Sequence, residues 1–231
     1  MAKHVGKKLQ SAYDSFDKNA IYELDKAISL AKENAYTKFD STIELVMKLN
    51  LDVRKADQQL RGSVLLPNGT GKSVRVLVVT NNVEKQKLAK KAGADIVVDG
   101  PALETKIKED EFDFDVMVAD PAMMPLLGKY GKKLGPKGLM PNPKTGTVSP
   151  TPEKTVEELK KGKANYRTDK AGIIHTIIGK SSMKTEALAE NAQTIINLIK
   201  KLKPAAVKGA YIQNIVVCAT MGPSVKVKIE K

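Results

Sequence analysis

The residues of this 231-residue chain that come nearest to a catalytic signature are Gly69-Thr70-Gly71-Lys72-Ser73, because glycine-lysine-serine is how a phosphate-cradling loop ends. That loop also needs a glycine at the position held by Leu66, and a helix directly after it whose N-terminal amides grip the phosphates. Ser73 leads instead into Val-Arg-Val-Leu-Val-Val-Thr, a strand pattern. The expected reading is a Pro/Gly connection between two strands, and a nucleotide-dependent enzyme is the alternative. Other catalytic chemistry is scarce. His4 lies in a basic N-terminal tail, His175 lies in a strand-like GIIHTIIG, and the single cysteine, Cys218, sits in the apolar run IVVCAT, where it should pack as a small hydrophobe. No Ser/His/Asp set and no metal-ligand set can be assembled from these, so neither an enzyme nor a metal or cofactor is expected.

Binding chemistry is better represented. Lysine and arginine number 39 against 26 acids, a formal charge of +13, which points to a polyanionic partner. With no tryptophan, 4 Phe and 6 Tyr, a surface built mainly of stacked bases is not expected. Short polar segments offer another kind of contact. KFDST supplies the charge of Lys38, the ring of Phe39 and the hydroxyl of Thr42, unless Asp40 and Ser41 merely cap a strand. In TMGPS, Gly222 permits close backbone approach, and Thr220 and Ser224 can bond phosphate or ribose 2′-hydroxyls; the plain alternative is a hairpin turn. TDKAG can likewise be only a turn, with Asp169 bonding local amides. No recognition helix is evident, so these residue types suit folded RNA better than B-DNA.

The elements that must position these segments can be read from periodicity. A helix is expected over IYELDKAISLAKENA, ending near Asn34, then a strand over 42–53 with alternate residues Ile43 to Val53 inward. From Val74, continuous apolar strands alternate with helices, which reads as a β-α-β-α-β parallel sheet; its first strand-to-helix turn, TNNVEKQ, lacks the glycines of a dinucleotide site. Thr151 should cap a helix that opens at Pro152 and stops at Gly162. ANYRTDKAGIIHTIIG reads as a strand pair, and SMKTEALAENAQTIINLIKKLKP as a helix with Leu188, Ala192, Ile195, Ile199 and Leu202 on one stripe. NIVVCAT and VKVKIE close the chain as strands, with Lys226, Lys228 and Glu230 facing away from the core. No apolar run is long enough to span a membrane, no secretory signal opens the chain, and a soluble cytosolic protein is expected.

Charge divides the chain. Residues 69–159 hold 14 basic and 13 acidic side chains, whereas the two ends together carry a net +12. The expected fold is therefore α/β with two domains: an α+β domain of antiparallel sheet and helices from 1–68 and 160–231, and an inserted Rossmann-like three-layer domain at 69–159. Pro67, Gly69 and Gly71 would form a hinge at one crossing. Within the insert, Lys129, Lys132, Lys133, Lys137 and Lys144 occur without an acid between Pro121 and Pro152, as a second basic patch or as ordinary loop solubility.

Four segments, ADQQLRGSVLLPNGTGK, LGPKGLMPNPKTGTV, IIHTIIGKSSM and TMGPSVKVK, resemble in order and spacing the L-one family of bacterial large-ribosomal-subunit proteins. The resemblance runs over essentially the whole chain. It implies a terminal domain bound to 23S rRNA at a mobile stalk, a flexible two-stranded hinge, a part in moving deacylated tRNA out of the exit site, and repression of the protein's own operon mRNA. It also implies a cytoplasmic location on the large ribosomal subunit and a monomer when free. By motif, the rRNA contacts would be Lys38, Phe39 and Thr42; Asp169 and Lys170; Lys180 and Ser182 of GKSSM; and Thr220, Met221 and Gly222. Ala171 departs from the hydroxyl-bearing residue that often comes after the Asp-Lys pair.

Overall fold

The computed structural model describes residues 6–205 and 207–229; His4 and Glu230 lie outside the described residues. The first part of the chain forms α1 (Lys7–Asp14), α2 (Leu24–Glu33), β1 (Thr42–Leu49) and β2 (Arg61–Leu65). The middle forms β3 (Val76–Val79), α3 (Val83–Lys91), β4 (Ile96–Val98), α4 (Gly100–Lys108), β5 (Val116–Ala119), α5 (Met124–Lys129), α6 (Gly131–Leu134) and α7 (Pro152–Lys160). The last part forms β6 (Lys163–Arg167), β7 (Ile173–Lys180), α8 (Thr185–Lys201), β8 (Ile212–Ala219) and β9 (Ser224–Val227). Two compact units result, one from Met1–Lys72 with Ala164–Lys231, the other from Ser73–Lys163. Within these bounds the terminal unit holds 23 basic and 13 acidic residues and the middle unit 16 and 13, because Lys160, Lys161 and Lys163 belong to the middle.

The terminal unit is built on an antiparallel sheet in the order β7-β1-β8-β9. Along β1, buried and half-buried residues alternate strictly. Ile43, Leu45, Met47 and Leu49 pack with Ile28 of α2 and Ile195 of α8 in one core, so helices fill one face of the sheet and leave the other open. The middle unit differs. Its parallel sheet, ordered β4-β3-β5, has a central strand buried at every position, with Val76 and Val78 in an apolar cluster beside α3 and α7, and Leu77 and Val79 in another beside α4 and α5. Continuous burial of β3 is the mark of a sheet covered on both faces.

Several expectations need correction. β1 stops at Leu49 although the alternation runs on to Val53, because beyond Asn50, whose N–H bonds the Tyr211 carbonyl, no strand pairing continues. β6 and β7 are not a hairpin: β6 pairs with β2 in a separate two-stranded ribbon, and only a single bridge, Thr168 to Ile174, joins the two segments. Thr151 occupies the cap of α7 without a side-chain cap bond; its hydroxyl meets Ser149 instead, 3.2 Å away. Leu202 falls one residue past α8 and is exposed. Cys218 is half-buried on the open face of the sheet, not in the core, where burial and the Glu44 carboxylate push its thiol pKa up. Lys228 lies beyond β9 and pairs with Glu23 at 2.8 Å.

Candidate nucleic-acid interface

Antiparallel pairing sets the start of β1 beside the ends of β7 and β8, with Thr42 opposite Lys180 and Ile43 opposite Ala219. Three segments far apart in sequence, KFDST, GKSSM and TMGPS, therefore meet at one end of the sheet. Asp40 is their hub: its carboxylate accepts the Ser181 hydroxyl at 2.8 Å, the Ser182 N–H at 3.0 Å and the Ser182 hydroxyl at 2.9 Å. Those bonds, Ser181 first, and the nearby Lys180 charge hold its pKa below the usual carboxylate value. Lys180 donates to Thr42 Oγ1 at 2.9 Å, and the Ser181 N–H bonds the Ser41 carbonyl at 2.8 Å. Thr220 Oγ1 accepts the Thr42 N–H and donates to the Thr42 carbonyl, each at 3.2 Å. The hydroxyls of Thr42, Thr220 and Ser182 are thus joints of the scaffold as well as surface groups.

The groups that this scaffold presents outward are different. Phe39 is 60% and Met221 69% exposed, and Lys38 is exposed as well. A single exposed apolar side chain is ordinary on a protein surface; two of them on segments that a bonded frame joins are what a partner could cover. Met221 takes a left-handed backbone, φ 64°, and its carbonyl accepts the Tyr36 hydroxyl at 2.5 Å. A side chain at Gly222 would crowd Ala219 at 3.3 Å, so glycine lets the turn fold back on the strand that it leaves. Tyr36, Asp40 and Ser181 complete the frame but were not singled out from sequence; the Tyr36 partner lies 185 residues away, and nothing local announces it.

Asp169 and Lys170 are not part of this end. They occupy the turn before β7, at the opposite end of the β1–β7 pair. Asp169 Oδ1 accepts the N–H groups of Ala171 and Ile173, both at 2.8 Å, and these bonds, Ile173 first, with the charges of His175 and Lys48 hold its pKa down. Lys48 of β1 donates to the Ala171 carbonyl, and Lys170 is exposed. The turn and the frame around Asp40 are one strand length apart, about 20 Å at the usual rise per residue.

The loop Pro67–Ser73 is fastened at its start to α8, while Gly71, Lys72 and Ser73 are exposed. The Asn68 N–H bonds Asn191 Oδ1 at 3.1 Å, Asn191 Nδ2 donates to the carbonyls of Gly69 and Ile178 at 2.9 and 2.8 Å, and the Asn68 amide bonds Glu190 at 2.7 Å. The Gly69 N–H is taken by the Leu66 carbonyl. Gly69 and Gly71 both have positive φ, 68° and 69°, but their loop leads into β3, not into a helix terminus. It has no phosphate cradle. At the C-terminal ends of β3 and β5, a crevice of about 470 Å³ is lined by Thr80, Asn82, Lys85, Asp120 and Met123. There the Lys85 ammonium pairs with Asp120 at 2.6 Å and the first amides of α3 are capped by Asn82. Of the lysines between Pro121 and Pro152, Lys133 bonds Asp110 at 3.1 Å and Lys137 lies 3.8 Å over the Phe112 ring, while Lys129, Lys132 and Lys144 are exposed. Among the described residues no group of three His, Cys, Asp or Glu is placed to hold a metal ion, and no helix is long and apolar enough to cross a membrane.

Comparison with known proteins adds a family to this geometry. The profile of the ribosomal protein L1p/L10e family matches residues 31–223. The chain is similar to large ribosomal subunit protein uL1 of Mycoplasmopsis agalactiae, 76% identical over 231 residues and the whole of both chains. It is similar to the proteins of the same name from Mycoplasmopsis synoviae, 71% identical over 231 residues, and Mycoplasmopsis pulmonis, 61% over 230, again along the full length of both. With most of its length covered by the family profile and full-length relatives this close, the chain belongs to the ribosomal protein L1p/L10e family.

Proposed function

We propose that this protein is a structural component of the large ribosomal subunit that binds 23S rRNA through its terminal unit, with Lys38, Phe39, Thr42, Lys180, Ser182, Thr220, Met221 and Gly222 at one end of the contact and Asp169 and Lys170 at the other. One observation carries the reading: Lys38, Phe39 and Met221 are all exposed on segments that a frame of hydrogen bonds gathers at one end of the sheet. A preorganised, basic and partly apolar surface of this kind suits folded RNA, whose splayed bases and 2′-hydroxyls it can meet without reorganisation. The excess of 23 basic over 13 acidic residues in the terminal unit supports it.

The finer roles rest on the same surface. An mRNA element of the same shape would compete for it, which accounts for repression of the protein's own operon, and exit-site tRNA would be met by the stalk that carries the protein. For the hinge, Pro67 would stiffen the loop and Gly69 and Gly71, both at positive φ, would permit rotation, with Asn68 and Gly69 bonded to Asn191 at its base. The test is a gel-shift titration of the full-length protein with 23S rRNA at several salt concentrations. Affinity should fall steeply with salt as phosphate contacts release counterions. Met221→Ala should weaken binding at every salt concentration without changing that slope. Binding indifferent to salt, or retained by a Phe39→Ala/Met221→Ala double variant, would remove the proposal.

A further inference from the structure

Asn68 is the only asparagine of the chain that is followed by glycine. Such a pair can react with itself, because the nitrogen of a residue without Cβ can close on the asparagine side chain with little steric hindrance. The Gly69 backbone nitrogen loses its proton and bonds to Asn68 Cγ, the bond from Cγ to Nδ2 breaks, and ammonia leaves with that proton. Water then opens the resulting succinimide at either carbonyl. The product is aspartate, or isoaspartate with the backbone rerouted through the side chain. Asn68 is exposed, so water is at hand. The fold nevertheless holds each participant out of the reaction. The Gly69 N–H donates to the Leu66 carbonyl at 3.2 Å, closing a four-residue turn with Pro67 at its second position. The Asn68 amide nitrogen donates to the Ala187 carbonyl at 3.2 Å and to Glu190 Oε2 at 2.7 Å, both on α8. Asn191 fixes the backbone on either side of the pair, accepting the Asn68 N–H and donating to the Gly69 carbonyl. Ring closure needs rotation about Asn68 ψ and rotation of its side chain, and these bonds oppose both.

We propose that Asn68-Gly69 is a one-way modification site: α8 keeps the pair unreacted while the loop is docked, and deamidation of an undocked loop prevents it from docking again. The second half follows from charge and chain length. Conversion removes the donors of the Asn68 amide and puts a carboxylate at the position that now bonds Glu190 Oε2, so two carboxylates would meet where one hydrogen bond was. Isoaspartate also adds one carbon to the backbone between the two groups that Asn191 holds. Either product therefore leaves the buried Asn191 amide without its fit to the loop. The loop is the one assigned above to the hinge, but the chemical step does not rest on that assignment.

The experiment follows Asn68 by mass spectrometry in the full-length protein and in the free peptide of residues 62–72, a tryptic fragment in which Asn68 is the sole side-chain amide. Both are incubated at mildly alkaline pH, and the gain in mass as the amide becomes a carboxyl is timed. The peptide should convert at least tenfold faster than the protein. Glu190→Ala removes an exposed acceptor and leaves the core intact, and it should speed conversion of the protein at least threefold. Asn191→Leu, with folding checked by circular dichroism, should speed it further. A protein as fast as the peptide would overturn the restraint, and a peptide that does not convert would overturn the site. Folded variants no faster than the parent would overturn the part given to α8. The re-docking half is read on Asn68→Asp, in which the Gly69 N–H should exchange with deuterium at least tenfold faster than in the parent; unchanged exchange would contradict it. None of these readouts involves RNA, so their failure would leave the rRNA reading standing.

Discussion

Two glycine-containing loops of the terminal unit invite opposite readings from sequence and have opposite fates. Gly69 to Ser73 is worded like a phosphate cradle, yet its neighbour Asn68 is bound to α8, the Gly69 N–H is spent on Leu66, and the chain runs on into β3 and not into a helix. Met221-Gly222 is worded like a hairpin turn and is one, joining antiparallel β8 and β9, but it holds Met221 in a left-handed conformation with most of its side chain in water. The difference is one of hydrogen-bond accounting. A loop is free to bind an anion only with the amides that its own fold leaves over. Residue type suggests the chemistry, and the partners already taken decide whether it is available.

The largest effect should come from releasing the fastened loop. Asn191 is fully buried in α8 and serves Asn68, Gly69 and Ile178 at once. Asn191→Leu keeps the branched shape and heavy-atom count but cannot hydrogen-bond, and it orphans three backbone groups, which should cost roughly 3 kcal/mol of stability in urea unfolding. Binding of 23S rRNA at low temperature should be unaffected. A variant as stable as the parent would show that the loop is not fastened by this residue.

The outward loop and its neighbour should respond in the opposite sense. Phe39→Ala removes a ring already mostly in water, so thermal stability should scarcely move, while RNA affinity should drop by about 1–3 kcal/mol if a base stacks on it. Equal affinity measured by filter binding would exclude the ring from the interface. Thr220→Val should act on both properties and more weakly. Its hydroxyl bonds both the N–H and the carbonyl of Thr42, so about 1 kcal/mol of stability should be lost, with a comparable loss of affinity as the turn loosens. Thr220→Ser should restore both.

Hydrogen-bond partners and burial also explain how much was legible in the sequence. Alternation along Ile43, Leu45, Met47 and Leu49 and continuous burial along Val76–Val79 separate a half-open antiparallel sheet from a covered parallel one, because each period reports how many faces are buried. Periodicity does not report where pairing ends, so Leu51 and Val53 look like strand when no neighbour is present to bond them. Nor does it assign partners: β6 and β7 sit close in sequence, but Ile173–Lys180 pairs with β1 and Lys163–Arg167 with β2. The candidate contacts were legible as motifs. Their division into two ends of one strand was not, because that depends on the register of Thr42 with Lys180, fixed 138 residues apart.

The smallest effect concerns acid. Asp40 and Asp169 are held below the ordinary carboxylate value in the folded protein, so each favours the ordered frame at any pH above its unfolded value of about 3.9, and that contribution fades as pH falls through the lower folded value. Between pH 6 and 8 neither group changes charge, and RNA binding should owe no pH dependence to them. Below about pH 4 the Ser182 amide should lose its carboxylate acceptor at one end of the sheet and the Ile173 amide its own at the other. Nitrogen–proton correlation spectra recorded during an acid titration can track both. Midpoints below 3.9 at both amides would match the geometry; a midpoint at or above 3.9 for Ser182 would mean that the Asp40 frame is not formed in solution, and the outward loop would then have no rigid base from which to present Phe39 and Met221.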